Sequence, residues 1–494
     1  MKRLLALLLI LSLFSLPACQ QTFSNIDQGQ PSMSSISIAY AEAPSTYSPL
    51  SYEAKNRKFF ANLYEPLVKF DGTFNTDSAL AVSWGRLDDT TWDFHLRHDV
   101  YFHDGKIFTA ADVVYSINLA RGETSELQPL LSTILSVEQT DEDRISITTS
   151  SPDPLLLNRL TYVYMVPEAT TDFSLPIGTG PYRVHEFAQD DLVLERFNDY
   201  WGPLAYFPEV HLRTVADPEE RVKALENNTV QVLANVPPQS AEELKAQGLV
   251  VTDFPSLEVS YLILNQSRIF ADENLRAAVN AALATDYAER LGGGYLMGTS
   301  QFAATGIEGY SKTAPQREQN LEIAQELRAL VQGPVTVTLD IPEGLEILGE
   351  AIRSDLAAID IQVTVNVLTA TALQDKIEAS LSDFYFFGWK YDLADSGDFF
   401  EAVAHSKVGS YGQFNGAAYA DAELDLLIEK AATEFGLMER RQFITQIEAQ
   451  LNSDMAIVPL FESKTLYAFH APLLWSSRLD GQLWVSDLVE NVVK

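Results

Sequence analysis

The sequence predicts an α/β or α+β fold in which strands and helices alternate from Ile36 onward without a detectable internal repeat. Two observations carry this. Segments with a period of two and segments with a period near 3.6 follow one another along the chain. Residues 335–367 also read as strand, helix, strand, the unit that joins parallel neighbours.

Thr91-Trp92-Asp93-Phe94-His95-Leu96 puts Trp92, Phe94 and Leu96 on one parity, a half-buried strand. A turn at Asp104-Gly105 follows. Thr109-Ala110-Ala111-Asp112 has the form of a capping box, opening a helix that buries Val113, Val114 and Ile117 and stops by Gly122. Asp217-Pro218-Glu219-Glu220 supplies an N-cap, a proline at the first position and an acidic first turn. That helix should stop near Asn227-Asn228, ahead of a strand from Thr229 to Leu233. Asp272 caps a helix from Glu273 to Ala284 with Leu275, Val279, Ala282 and Leu283 on one face. Val335 to Leu339 alternates, Leu345, Leu348, Ile352, Leu356 and Ile359 repeat at helical spacing, and Ile361 to Val367 alternates again.

The N-terminus carries an address. Lys2 and Arg3 precede the apolar run Leu4 to Leu16, which is too short to span a bilayer, and Leu16-Pro17-Ala18-Cys19 ends in the chain's single cysteine. This string resembles a bacterial lipobox. It implies removal of residues 1–18, lipid on Cys19, and anchoring by acyl chains at about 0.8 kcal/mol per buried methylene. Residues 19–35 then form the lipidated end and a polar, Gln- and Ser-rich spacer. Cleavage leaves 32 basic against 68 acidic side chains, a net charge of −36, which should repel nucleic acid and anionic membrane surfaces. With no second thiol, no intramolecular disulfide is available.

Several segments together resemble the family 5 extracellular solute-binding proteins, receptors for oligopeptides, dipeptides and nickel in ABC importers. They are Asn62-Leu63-Tyr64-Glu65-Pro66-Leu67-Val68, the stretch Trp92 to Ile117 with Leu96, Arg97, Phe102, Asp104 and Gly105, then Gly178-Thr179-Gly180-Pro181-Tyr182, and Leu194 to Gly202. Asn228 and Gln231 stand where the family often has Gly and Asp, and Asp360 where it has Gly. Asn and Asp both tolerate the left-handed backbone such a position needs.

The resemblance implies a periplasmic-binding-protein-like fold of type II, cluster C-like, whose two lobes close over a ligand by hinge motion, with an extra domain. Domain I maps to 36–62, 175–255 and 465–494, domain II to 63–174 and domain III to 256–464. Gly178 and Gly180 mark a tight re-entry into domain I. Partners would be a peptide or other small solute and the permease and ATPase subunits of the importer, with membrane contact through lipid alone, no cofactor, and a monomeric receptor.

The densest candidate binding segment is Phe384 to Asp392, running on to Asp395, Asp398, Phe399 and Phe400. Physically it is an aromatic strand delivering a carboxylate at its end. In peptide-binding members the matching segment supplies an aspartate that pairs with the ligand's α-ammonium. Gly388, Trp389, Tyr391 and Asp392 are therefore expected ligand residues, Asp392 as the anchor. Dipeptide-binding members carry an arginine just after the strand at 335–339, where this chain has Leu339 and Asp340. That leaves a longer or cationic peptide as the expected ligand, held chiefly by main-chain hydrogen bonds, with a nickel chelate as the alternative.

His95, His98 and His103 space as a metal motif, but one strand cannot converge all three, and a solvated strand face is expected instead. A lipid-anchored hydrolase is the rival class. No G-x-S-x-G or H-E-x-x-H occurs, and the thiol is consumed by lipidation, so no catalytic residue is assigned.

Overall fold

The computed structural model describes residues 33–476 and 478–491; the leader and Cys19 lie outside the described residues. The chain begins with β1 (Ser35–Tyr40) and α1 (Ala54–Phe60). A smaller unit follows, comprising β2 (Ala81–Arg86), β3 (Thr91–Leu96), α2 (Ala110–Ala120), β4 (Ile134–Asp141) and β5 (Arg144–Thr149). Its four strands form an antiparallel sheet in the order β2-β3-β5-β4. In β3 the predicted parity holds, with Trp92, Phe94 and Leu96 buried. In α2 the reciprocal cap is made, since Thr109 N–H and hydroxyl both donate to Asp112 Oδ2 at 2.7 Å. Val113 and Ile117 are fully buried, and Val114 is half-buried.

The body of the molecule is one eleven-stranded mixed sheet. Its first half gathers β1, β6 (Tyr182–Ala188), β7 (Asp191–Arg196), β8 (Glu209–Thr214) and, after α3 (Pro218–Glu226), β9 (Val232–Ala234). Asp217 caps α3 by accepting from Glu220 N–H at 2.9 Å, and Asn228 takes a left-handed φ of 56° at its stop. The strand after it starts at Val232 rather than Thr229. The N–H groups of Thr229 and Val230 are spent closing the helix end on Ala224 O, which delays the ladder.

The other half holds α4 (Glu273–Ala282), β11 (Leu296–Gly298), β12 (Val335–Pro342), α5 (Glu346–Ala357), β13 (Ile361–Leu368) and β14 (Phe384–Lys390). As expected, Asp272 caps α4 and β12 pairs in parallel with β13 across α5. Helix α4 ends two residues earlier than the periodicity suggests, because Arg317 draws the Leu283 and Ala284 carbonyls away.

Two long strands cross between the halves, β10 (Val250–Leu264) and, after α6 (Leu437–Asp454), β15 (Ile457–Phe469). The full order is β13-β12-β14-β10-β15-β9-β1-β8-β7-β6, with β11 on β15. Midway the register slips: residues 256–258 of β10 lie opposite Ser463 alone, and Leu257 has φ of 63°. This fold is two-lobed, with the lobes joined through the sheet and the smaller unit packed on the side.

Candidate ligand site

Three separate sequence signatures meet on one buried carboxylate, Glu65. It accepts hydrogen bonds from Thr179 Oγ1, Tyr200 OH and Trp201 Nε1, each at 2.8 Å. Burial pushes its pKa up, while the three donors pull it down. The segment 178–180 runs against the backbone of 62–64 so closely that a Cβ on Gly180 would stand 2.7 Å from Asn62 O. Both glycines are there for that approach, as the sequence suggested. His103 completes the junction. Its Nε2 faces Gly180 O at 3.0 Å and its Nδ1 faces Gly178 N–H at 3.3 Å, partners that require the neutral ring. His103 is thus half-buried with both ring nitrogens engaged, correcting the expectation of a solvated strand face. Burial lowers its pKa to about 4. A base depressed in this way adds stability above its unfolded pKa near 6.5 and loses it as pH falls towards about 4. Compared with a His103→Gln variant, the native chain should therefore lose up to roughly 3 kcal/mol more stability between pH 7 and 4, measured by urea unfolding across pH.

Helix α1 ends at Phe60, just ahead of this junction, and carries Arg57 to the end of β14 on the other lobe. The first residues of β14, Phe384 and Tyr385, are fully buried and paired on both sides, by β10 and by β12. From Phe386 to Lys390 the strand keeps β10 on one side only, so among the described residues its other edge is open. Along this open stretch Gly388 is exposed and Trp389 half-buried, its ring stacked on Phe387 at 6.2 Å. Tyr391 is fully buried, its hydroxyl hydrogen-bonded to Tyr261 OH and Phe302 O.

Asp392 lies just past the strand and faces the other lobe. Its Oδ2 accepts from Arg57 Nη2 of α1 at 2.5 Å, and its Oδ1 is 3.6 Å from Lys390 Nζ. Its backbone carbonyl accepts from Tyr162 OH at 2.6 Å. The two side chains of the pair are 3% (Arg57) and 15% (Asp392) exposed. The Arg57 guanidinium sits on the faces of Tyr52 and Tyr162, 4.5 and 4.8 Å from the ring centroids. Burial alone would raise the Asp392 pKa, but Arg57 and Lys390 hold it below the ordinary carboxylate value. Arg57, Tyr52 and Tyr162 escape sequence reasoning, since Lys55-Asn56-Arg57-Lys58 has the composition of a solvated helix face.

The remaining motif residues serve the lobe itself. Asp395 binds Arg440 of α6 bidentately at 2.5 and 2.8 Å. Asp398 is half-buried, and burial together with Asp395 pushes its pKa well above the ordinary carboxylate value. Phe399 and Phe400 are fully buried. Asp340, where an arginine was sought, is buried and paired with Lys376 Nζ at 2.7 Å. On the smaller unit, His95 and His98 converge with Asp143, not with His103; their Nε2 atoms lie 2.5 and 3.3 Å from Asp143 Oδ2.

A continuous sheet, two lobes and a polar pair across the cleft between them are the architecture of a solute receptor. The chain belongs to the bacterial extracellular solute-binding proteins, family 5, whose middle-region model matches residues 76–411. It is 24% identical over 457 residues, 83% of each chain, to the probable ABC transporter periplasmic-binding protein SapA of Escherichia coli. To the nickel-binding protein NikA of Staphylococcus aureus it is 25% identical over 406 residues, 78% of this chain and 79% of that one. It shares its fold with the periplasmic binding protein DppA of Helicobacter pylori, solved with the peptide STSA, at a TM-score of 0.77 and 23% identity over 92% of this chain and 98% of that one. Among the described residues no helix is long and apolar enough to cross a membrane.

Proposed function

We propose that this chain is the receptor of an ABC importer for extended peptides, captured between the lobes and handed to the permease and its ATPase. The open edge of β14 beside Asp392 carries this reading. An extended peptide laid there gains main-chain hydrogen bonds regardless of its side chains, while Trp389 supplies an apolar wall and Gly388, lacking a side chain, makes way for the Glu258 carboxylate, 2.7 Å from where its Cβ would stand. Tyr391 supports the strand from beneath, and Asp392 is the polar anchor at its end. Domain I comprises 36–62, 175–255 and 465–494, domain II 63–174, and domain III 256–464. Cys19 holds the receptor, a monomer, to the membrane by lipid, with 20–35 as its tether. The names of SapA, NikA and the DppA complex support peptide or nickel as ligand classes.

The test is purification without denaturation, mass spectrometry of the co-purifying solute, and thermal shifts with peptides of graded length and with nickel chelates. A true ligand at about 100 times its Kd adds roughly 2.7 kcal/mol. Stabilisation by peptides supports the reading; stabilisation by a nickel chelate alone replaces peptide with chelate and leaves the receptor role in place.

A further inference from the structure

The Asp392 end of the cleft already holds a cation. Arg57 is not a mobile surface arginine: it is seated on two tyrosine faces and almost completely buried. Lys390 stands on the other carboxylate oxygen. Lys58, next along α1, is half-buried, and burial together with Lys390 holds its pKa below the ordinary lysine value. Against these stands Glu258, paired in register with Lys390 on the neighbouring strand; burial raises its pKa. Positive charge at this end thus matches or exceeds negative charge, in a chain whose net charge is −34. A ligand ammonium placed on Asp392 would have to displace a clamped guanidinium or sit beside it, and like charges at such range repel strongly when screened from water.

We infer that Arg57 is a resident counter-ion that stands in for the ligand's ammonium, so that this end of the cleft selects a ligand end bearing no ammonium, such as an N-acylated or cyclised peptide terminus. The inference rests on the peptide reading above and narrows it. Arg57 is a specificity-determining residue: with the lobes together as they are here it occupies Asp392 in place of a ligand ammonium, and the ligand is then held by the β14 edge and the apolar walls.

Matched peptides, identical except for a free or acetylated N-terminus, test this by calorimetric titration of the full chain and of Arg57→Gln. The native chain should bind the acetylated member at least as tightly as the free amine. In Arg57→Gln the ratio should swing towards the free amine by about tenfold or more, because Asp392 has lost its partner. A native preference for free amines of about tenfold, or an unchanged ratio in the variant, overturns the inference and leaves the peptide reading intact. Should Arg57→Gln fail to fold, the comparison on the native chain decides alone. If neither member binds, the peptide reading falls, and amine labelling of the co-purified solute decides the inference: a solute without a primary amine supports it, and one whose ammonium sits on Asp392 in a crystal structure of the complex overturns it.

Discussion

Replacing Gly178 by alanine should abolish folding at the junction between the smaller unit and the first lobe. The added carbon would fall on Leu63 O and within 2.9 Å of Tyr64 Cα, both backbone positions that cannot turn aside. The same segment donates Gly180 N–H to Leu63 O, and Gly178 N–H meets His103 Nδ1. Moving the chain to make room would break these bonds and pull Thr179 from Glu65, so the loss should be about 3 kcal/mol or more. The midpoint of urea unfolding and the yield of folded protein measure it; a variant with native midpoint would show that the segment tolerates displacement. Alanine at the exposed turn residue Gly105, where nothing lies within 4 Å of the added carbon, is the control for its positive φ alone.

The second large effect belongs to the Asp395–Arg440 pair inside the second lobe. Both side chains are buried, at 5% and 6% exposure, and Arg440 Nε also donates to Ala431 O. Removing the guanidinium in Arg440→Met leaves a buried carboxylate with only Gly397 N–H, at an expected loss of about 3 to 5 kcal/mol. Arg440→Met combined with Asp395→Leu should recover most of that loss, because an apolar pair of similar volume leaves no uncompensated charge. A double-mutant cycle on unfolding midpoints reads this directly, and simple additivity of the two single losses would refute the pairing as the cause.

What could be read from the chain alone divides along sequence distance. Thr109 with Asp112, Asp217 with Glu220, and the unit from Val335 to Leu368 are local devices whose partners lie within a few turns or one crossover, so periodicity and caps reveal them. The order of the signatures around Glu65 was also visible, but not its physical cause. Its donors are 114 to 136 residues away, and only the folded chain brings them together. The same holds at the cleft. The aromatic strand and the carboxylate beyond it were legible, whereas Arg57, 335 residues distant from Asp392, has no pattern that distinguishes it from a solvated neighbour. Asp143 escaped for a similar reason: it comes from the hairpin between β4 and β5, which no histidine spacing announces.

The two strands β10 and β15 run through both lobes side by side in one ladder, interrupted by the slip at 256–258 and by a second shift between Ser260 and Tyr261, opposite Leu460. Closure therefore cannot be a swing on loose tethers. A two-ply leaf of this kind bends most readily where its ladder is interrupted, at Leu257 and beyond Ser260. Such a leaf couples the two jaws through two continuous strands, so the parting of the lobes is limited by how far those strands can bend.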